Sequence, residues 1–330
     1  MNIIVQKYGG SSVENKEKLE IICDNIKNRI KKNTKLVVVV SAQGKTTDSL
    51  IKKASEYSSN PSKRELDMLL MTGEIQTVSL LTMMLNDLEI DAIGLTGAQA
   101  GIITDSTYGS AKIESIYIDY ILNHLQNKNV VVVAGFQGVD KFGNITTLGR
   151  GGSDLSAVAL ASALKAKTCE IYTDVNGIYS SDPKIIKKAK LLKKVSYDEM
   201  LEAATAGAKV LHNRSVNVGK KYDLKIIVKS FKEDSSGSIV ENTDNDLITD
   251  EDTIESTKVK FIAKNDNVSK ISIIGDLLIT NKDIINKIFN IAYEEKIDIY
   301  MASFSELSIN IVVDKNKAET LVNLLHENLI

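Results

Sequence analysis

Two glycine-rich stretches carry residue types that could do chemistry: Lys7-Tyr8-Gly9-Gly10-Ser11-Ser12 and Thr146-Thr147-Leu148-Gly149-Arg150-Gly151-Gly152-Ser153-Asp154. In the second, glycines flank one arginine, and a serine and an aspartate open the apolar run 155–164. Glycine leaves backbone amides unshielded, and a helix start adds free N–H groups and a positive dipole end. The stretch therefore reads either as an anion cradle with Arg150 as its charged reader, or as a turn that Ser153 or Asp154 caps. Lys7 closes the short apolar run Ile3 to Tyr8. A lysine there needs an anionic partner or a way past the strand end to water. The adjoining glycines favour phosphate as that partner.

Further polar groups punctuate the chain at the ends of apolar runs. Ser41 to Asp48 follows the β-branched run 35–40; its Gly44-Lys45-Thr46 is not a Walker A loop, because Val39 stands where the leading glycine would be. Thr47 and Asp48 read as helix caps or as contacts to a small polar ligand. Gly73-Glu74 interrupts a long apolar helical pattern, where glycine is unfavourable unless something approaches closely. Glu74 reads equally as surface charge or as a partner for a substrate amine. Thr173 to Lys184, with Asp174, Tyr179 and Asp182, suits either a nucleotide wall or a surface loop.

The elements that must position these groups alternate strand and helix. Strands are expected at 3–8, 35–40, 91–95, 129–136, 168–172 and 223–231, with a hairpin over 140–147. Helices are expected at 13–31, from 62 past 85, at 110–128, 155–166 and 196–206, with capping boxes at Ser11/Glu14, Ser62/Glu65 and Ser196/Glu199. This is a mostly parallel α/β plan in which ligands bind at the C-terminal ends of the strands. Residues 232–257 are acidic and read as a linker with at most a short strand. Beyond it, strands at 258–263 and 269–275, a helix at 282–295, a hairpin over 297–313 and a helix at 315–328 follow the ferredoxin-like order.

With 330 residues, 43% hydrophobic and 25% charged, the chain has the composition of two soluble domains. A formal net charge of −2 and the lack of tryptophan argue against nucleic acid as a partner. Cys23 and Cys169 lie in apolar runs and read as reduced core residues. Neither a signal sequence nor a membrane-spanning run is expected, which points to a cytoplasmic protein without membrane partners.

In these motifs and their order the chain resembles the aspartate kinases of the amino acid kinase family. The residues that carry the resemblance are the Lys7–Gly10 opening, Val38 to Ala42 with Thr47-Asp48, Gly73-Glu74, Gln99-Ala100-Gly101, Gly135-Phe136-Gln137-Gly138, the loop 146–154, the segment 173–183 and Gly207 to His212. The resemblance implies a three-layer αβα sandwich over 1–232 with a mostly parallel central sheet, the acidic linker 233–257, and a small ferredoxin-like α+β domain of the ACT type over 258–330. It implies ATP-dependent phosphorylation of the side-chain carboxylate of L-aspartate, the first step toward lysine, threonine and methionine. Lys7 and Asp154 would be the catalytic pair, Lys7 stabilising the transferring phosphoryl group and Asp154 orienting it. Arg150 would hold a substrate carboxylate, Glu74 the α-ammonium, and Thr47, Phe136 and Ser153 the rest of the pocket. Gly9, Gly10, Thr173, Asp174, Tyr179, Asp182, Lys184 and Lys209 would serve ATP. The phosphate cradle proper then falls to Gly9-Gly10, and the 146–154 loop becomes the aspartate side. No dedicated metal cage is expected, Mg²⁺ being held by ATP and water. Asn213 and Lys184 stand where the family commonly has proline and arginine. Most members carry two ACT units; this chain has room for one. Effector sites between ACT units could then arise only between chains, in a homo-oligomer of at least two. The alternatives are another amino acid kinase, or an inactive ACT-type sensor.

Overall fold

The computed structural model describes residues 1–30, 34–206, 208, 210–232, 235–242, 260–276, 278–305 and 307–330. These fall into two compact units, Met1–Ala263 and Lys264–Ile330.

The larger unit opens with β1 (Ile3–Tyr8), a short 3₁₀ turn Gly10–Ser12, and α1 (Lys16–Ile30). β2 (Lys35–Val40), α2 (Thr46–Tyr57), α3 (Lys63–Asp87), β3 (Ala92–Leu95), β4 (Ile102–Thr104), β5 (Ile113–Ile116) and α4 (Asp119–Asn127) follow. Next come β6 (Val130–Ala134), β7 (Gln137–Asp140), β8 (Ile145–Thr147), α5 (Gly152–Ala163) and β9 (Thr168–Thr173). β10 (Lys194–Ser196), α6 (Tyr197–Thr205), α7 (Asn213–Lys221), β11 (Ile226–Ser230) and β12 (Ser238–Glu241) complete it.

Eight strands form the central sheet in the order β10-β12-β11-β9-β1-β2-β6-β3. Every neighbouring pair is parallel except β11 with β12. Strand alternation divides its side chains between two cores. Val5, Val37, Val39, Val131, Val133 and Ile171 join Val158 and Leu160 of α5. Ile4, Tyr8, Leu36, Val38, Val40 and Val132 join Ile22 and Ile26 of α1 and Leu81 and Leu85 of α3. Burial on both faces explains the unbroken valine runs of β2 and β6, as a parallel sheet covered by helices requires. This is the expected three-layer αβα sandwich. A small sheet of order β5-β4-β7-β8 carries the hairpin that leads into the glycine loop.

Several local expectations give way to tertiary pairing. Residues 110–128 are not one helix: Ile113–Ile116 pairs with β4, and only Asp119–Asn127 is helical. Ser238–Glu241, the short strand the acidic stretch could hold, is part of the main sheet beside β11 and β10. Residues 260–263 belong to the larger unit and carry no strand; 258 and 259 lie outside the described residues. The capping box at Ser196/Glu199 forms. That at Ser62 does not, Glu65 pairing with Arg64 instead. Near Ser11, Glu14 pairs with Lys18 while the Asn15 side chain accepts from the Lys18 amide. α3 is long and apolar enough to cross a membrane by length and composition, yet it packs on the sheet and buries Asp67 and Glu74 in protein.

The smaller unit runs β13 (Val268–Ile274), α8 (Lys282–Glu294), β14 (Ile299–Ser305), β15 (Ser308–Asp314) and α9 (Lys315–Leu329). Its sheet is antiparallel, in the order β13-β15-β14. Ile309, Ile311 and Val313 of β15 pack on Ile288, Ala292, Leu321 and Leu325 of the two helices. Among the described residues it is the ferredoxin-like order with one strand fewer than expected.

Candidate active site

β1, β2, β6 and β9 are adjacent and parallel, so their C-terminal ends deliver four loops to one edge of the sheet: Gly9–Ser12, Ser41–Lys45, Gly135–Phe136 and the segment from Thr173. Lys7 shares the strand face of Ile3 and Val5, the face that α5 covers. Its Nζ lies 2.6 Å from Asp154 Oδ1 on the first turn of α5, both side chains about seven-eighths buried. A charge that deep requires its counter-ion, and the carboxylate at a helix start also faces the positive dipole end.

Glycine is required around this pair for lack of space. A Cβ on Gly9 would sit 3.2 Å from Lys7 Nζ, and one on Gly10 would press to 2.8 Å of the Ala42 carbonyl oxygen. Gly149 and Gly151 take φ of +78° and +71°, so the Arg150 loop turns through conformations that L side chains avoid. A Cβ on Gly151 would meet the His212 ring at 2.5 Å. Burial, and then Arg214 beside it, hold that imidazole below its ordinary pKa. Arg150 itself is exposed and makes no ion pair or hydrogen bond among the described residues. Its guanidinium is therefore available to an anion.

Glu74 is 3% exposed. Its Oε1 accepts from the Ala42 amide at 3.1 Å, while Oε2 is buried without a partner. Burial raises its pKa to about 7 against the opposing hydrogen bond from Ala42. The glycine before it has the predicted cause: a Cβ on Gly73 would sit 2.8 Å from the Ala42 Cβ, so the loop after β2 crosses α3 there. Thr47 lies half-buried in the first turn of the helix that this loop opens. Phe136 holds φ +69°, its amide donating to Ser156 Oγ at 3.1 Å and its ring lying against Gly152. Ser153 is buried against Gly135.

On the other side of β1, the Thr173 hydroxyl accepts from the Val175 amide and donates to the Val175 carbonyl, starting the excursion beyond β9. Tyr179 is half-buried and bridges to Leu191. Asp182 accepts from the Lys184 amide at its own turn, and Lys184 pairs with Asp174 at 3.8 Å, all three exposed. Lys209 lies outside the described residues. Three further residues were not singled out from sequence: Ser12, whose buried hydroxyl has no partner, Asp67 and Arg214. A charged residue inside an apolar helical stretch was the available signal for Asp67.

The arrangement brings an ammonium, a carboxylate, glycine amides and an exposed guanidinium to one edge, the kind of charge and donors that phosphoryl transfer to a small acid calls for. Residues 2–230 match the model of the amino acid kinase family. This chain belongs to the amino acid kinase family. Residues 271–329 match an ACT domain. Among curated relatives, the aspartokinase of Geobacillus stearothermophilus is 37% identical over 395 aligned positions, covering 99% of this chain and 97% of that protein. Aspartokinase 2 of Bacillus subtilis is 36% identical over 397, with 99% and 97% covered. Those alignments exceed the 330 residues here, so both relatives carry internal residues with no counterpart in this chain. A solved aspartate kinase from Synechocystis superposes with TM-score 0.66 at 36% identity, over 97% of this chain and 54% of that one. E. coli aspartokinase III, solved with aspartate and ADP, matches in fold with TM-score 0.77 at 24% identity, over 98% and 83%.

Proposed function

We propose that this member of the amino acid kinase family transfers the γ-phosphoryl group of ATP to the side-chain carboxylate of L-aspartate, giving 4-phospho-L-aspartate and ADP. The observation that carries the reading is the Lys7–Asp154 pair, buried between the end of β1, just before the glycine turn, and the first turn of α5, just after the Arg150 loop. The names of relatives matched over nearly their whole length favour aspartate over the other acceptors of the family and over an inactive sensor.

A carboxylate oxygen of the substrate attacks phosphorus directly, the bond to the ADP oxygen breaks, and no protein nucleophile is needed. Two anions must meet, so the chain supplies positive charge. Lys7 bridges donor and acceptor, held in place by Asp154, and the amides of Gly9 and Gly10 receive phosphate oxygens. Arg150 takes a substrate carboxylate in the bidentate fashion that suits guanidinium. Glu74 Oε2 takes the α-ammonium, which supplies the partner that this buried oxygen lacks. Thr47, Phe136 and Ser153 close the pocket. Thr173, Asp174, Tyr179, Asp182, Lys184 and Lys209 form the nucleotide side. No group of three His, Cys, Asp or Glu among the described residues could hold a metal. Mg²⁺ arriving with ATP, neutralising phosphate charge, fits a site where phosphate and water are its main ligands.

In the C-terminal unit, Tyr300 and Met301 on β14 and Leu307 beyond it are more than half exposed. They support pairing between chains through ACT units, in a cytoplasmic homo-oligomer.

The test is a coupled ADP assay with hydroxylamine trapping of the acyl phosphate. ADP and hydroxamate form only when Mg²⁺-ATP and L-aspartate are both present. No turnover with aspartate, or equal turnover with glutamate, refutes the assignment.

A further inference from the structure

Arg150 sits at the tip of its loop, but two sets of contacts, one buried and one half-buried, hold the base of that loop. Asp67, on the first turns of α3, is 1% exposed. Its Oδ2 accepts from the Thr147 amide at 2.7 Å and the Gly109 amide at 2.9 Å, and its Oδ1 accepts from the Thr147 hydroxyl at 2.7 Å. From the other side, Arg214 of α7 donates to the Leu148 carbonyl at 2.5 Å and the Ala111 carbonyl at 2.7 Å. The Ala111 amide in turn donates to the Thr147 carbonyl at 2.9 Å. Residues 147 and 148 are thus clamped, and the positive φ of Gly149 and Gly151 turns the loop so that the arginine between them projects from that fixed base.

Asp67 and Glu74 are seven residues apart on one helix. That spacing is two turns, so both fall on the same buried face, about 10 Å apart along the axis. One α-helix therefore holds both the carboxylate assigned to the substrate ammonium and the anchor of the loop that carries the arginine assigned to a substrate carboxylate. A helix is rigid over two turns, so the separation of the two recognition groups cannot drift independently.

We propose that Asp67 and Arg214 are positioning residues that set the distance between Glu74 and Arg150, and so make the site select an amino diacid of aspartate's length over one a methylene longer. The inference rests on the functional reading above. A hydrophobic pocket discriminates one methylene by about 10–200-fold. A polar site adds to this only if its two ends are held at fixed separation, which is what the Asp67 contacts provide.

The experiment compares kcat/KM for L-aspartate and L-glutamate, with KM for ATP, in the wild type, Asp67→Asn, Asp67→Glu and Arg214→Lys. Asparagine replaces an acceptor oxygen with a donor opposite amides that need one. Glutamate keeps the carboxylate and moves the anchor by a methylene. The expected result is a rise of about tenfold or more in KM for aspartate, a KM for ATP within about twofold of wild type, and an aspartate-to-glutamate ratio lowered by about tenfold. The ratio is independent of the fraction of folded enzyme, so it separates positioning from mere destabilisation. If Asp67→Asn does not fold, Asp67→Glu and Arg214→Lys carry the measurement. Variants that lose activity with an unchanged ratio overturn the inference alone. A wild type inactive on aspartate overturns the functional reading and this inference with it.

Discussion

Glu74 offers a test that needs no assumption about turnover. Its carboxyl is buried, one oxygen has no partner, and burial raises its pKa from the ordinary 4.5 to about 7. The folded protein prefers the neutral acid, so ionisation works against folding. The penalty is absent below the unfolded pKa, grows as pH rises between about 4.5 and 7, and is complete above it. At 1.36 kcal/mol per pKa unit, the full penalty is roughly 3 kcal/mol. Glu74→Gln removes the titration and adds a packing and hydrogen-bonding change that does not depend on pH. Denaturant unfolding of both proteins at pH 5 and pH 8 should therefore show the variant gaining roughly 2–3 kcal/mol on the wild type between the two. A substrate ammonium at Oε2 favours the ionised form. L-aspartate binding near pH 7 should then release a fraction of a proton, measured by calorimetry in buffers of different ionisation enthalpy, and Glu74→Gln should release less. A stability difference independent of pH would refute the argument, whatever the enzyme's kinetics.

Lys7→Ala should lower kcat by about 10³-fold or more, with circular dichroism unchanged, because an oriented charge acting on the transition state is lost; turnover within tenfold of wild type would remove Lys7 from the mechanism. Arg150→Lys should raise KM for aspartate by about tenfold and leave thermal stability unaltered, since the guanidinium is exposed and unpaired among the described residues and lysine cannot bind a carboxylate in two-point fashion. Gly10→Ala forces a Cβ to 2.8 Å of the Ala42 carbonyl and should cost about 1–3 kcal/mol in unfolding free energy. Burial raises both thiols, Cys23 to about 11, so neither should react with a thiol reagent at pH 8 until the chain is unfolded.

Local features of the site were legible because their causes are local. A glycine pair after a buried strand, glycines around Arg150, and a glycine inside α3 each marked a place where backbone or ligand must come close, and the structure supplies the neighbours at Ala42, His212 and Lys7. The Ser196 capping box formed because its partners are three residues apart. The serine at 62 makes no side-chain cap, and Glu65, which would have completed the box, pairs with Arg64 at the surface. Asp67 could not be read as an anchor, since its partners lie 42 and 80 residues away.

The sequence by itself determined the alternation of strand and helix, the burial of the valine runs, and the residue types available for chemistry, because propensity, periodicity and turn geometry act over a few neighbours. Tertiary structure decided what depends on distant partners. Ile113–Ile116 became a strand because β4 was there to pair with it, and Ser238–Glu241 joined the main sheet because β11 and β10 were. The two-sided reading of Glu74 ended at 3% exposure, set by the crossing of the loop after β2 over Gly73. Lys7 and Asp154 stand 147 residues apart in the chain and 2.6 Å apart in space. A hydrogen-bonded ladder or a buried ion pair is stabilised by groups that only the folded chain brings together, so no window of sequence contains it.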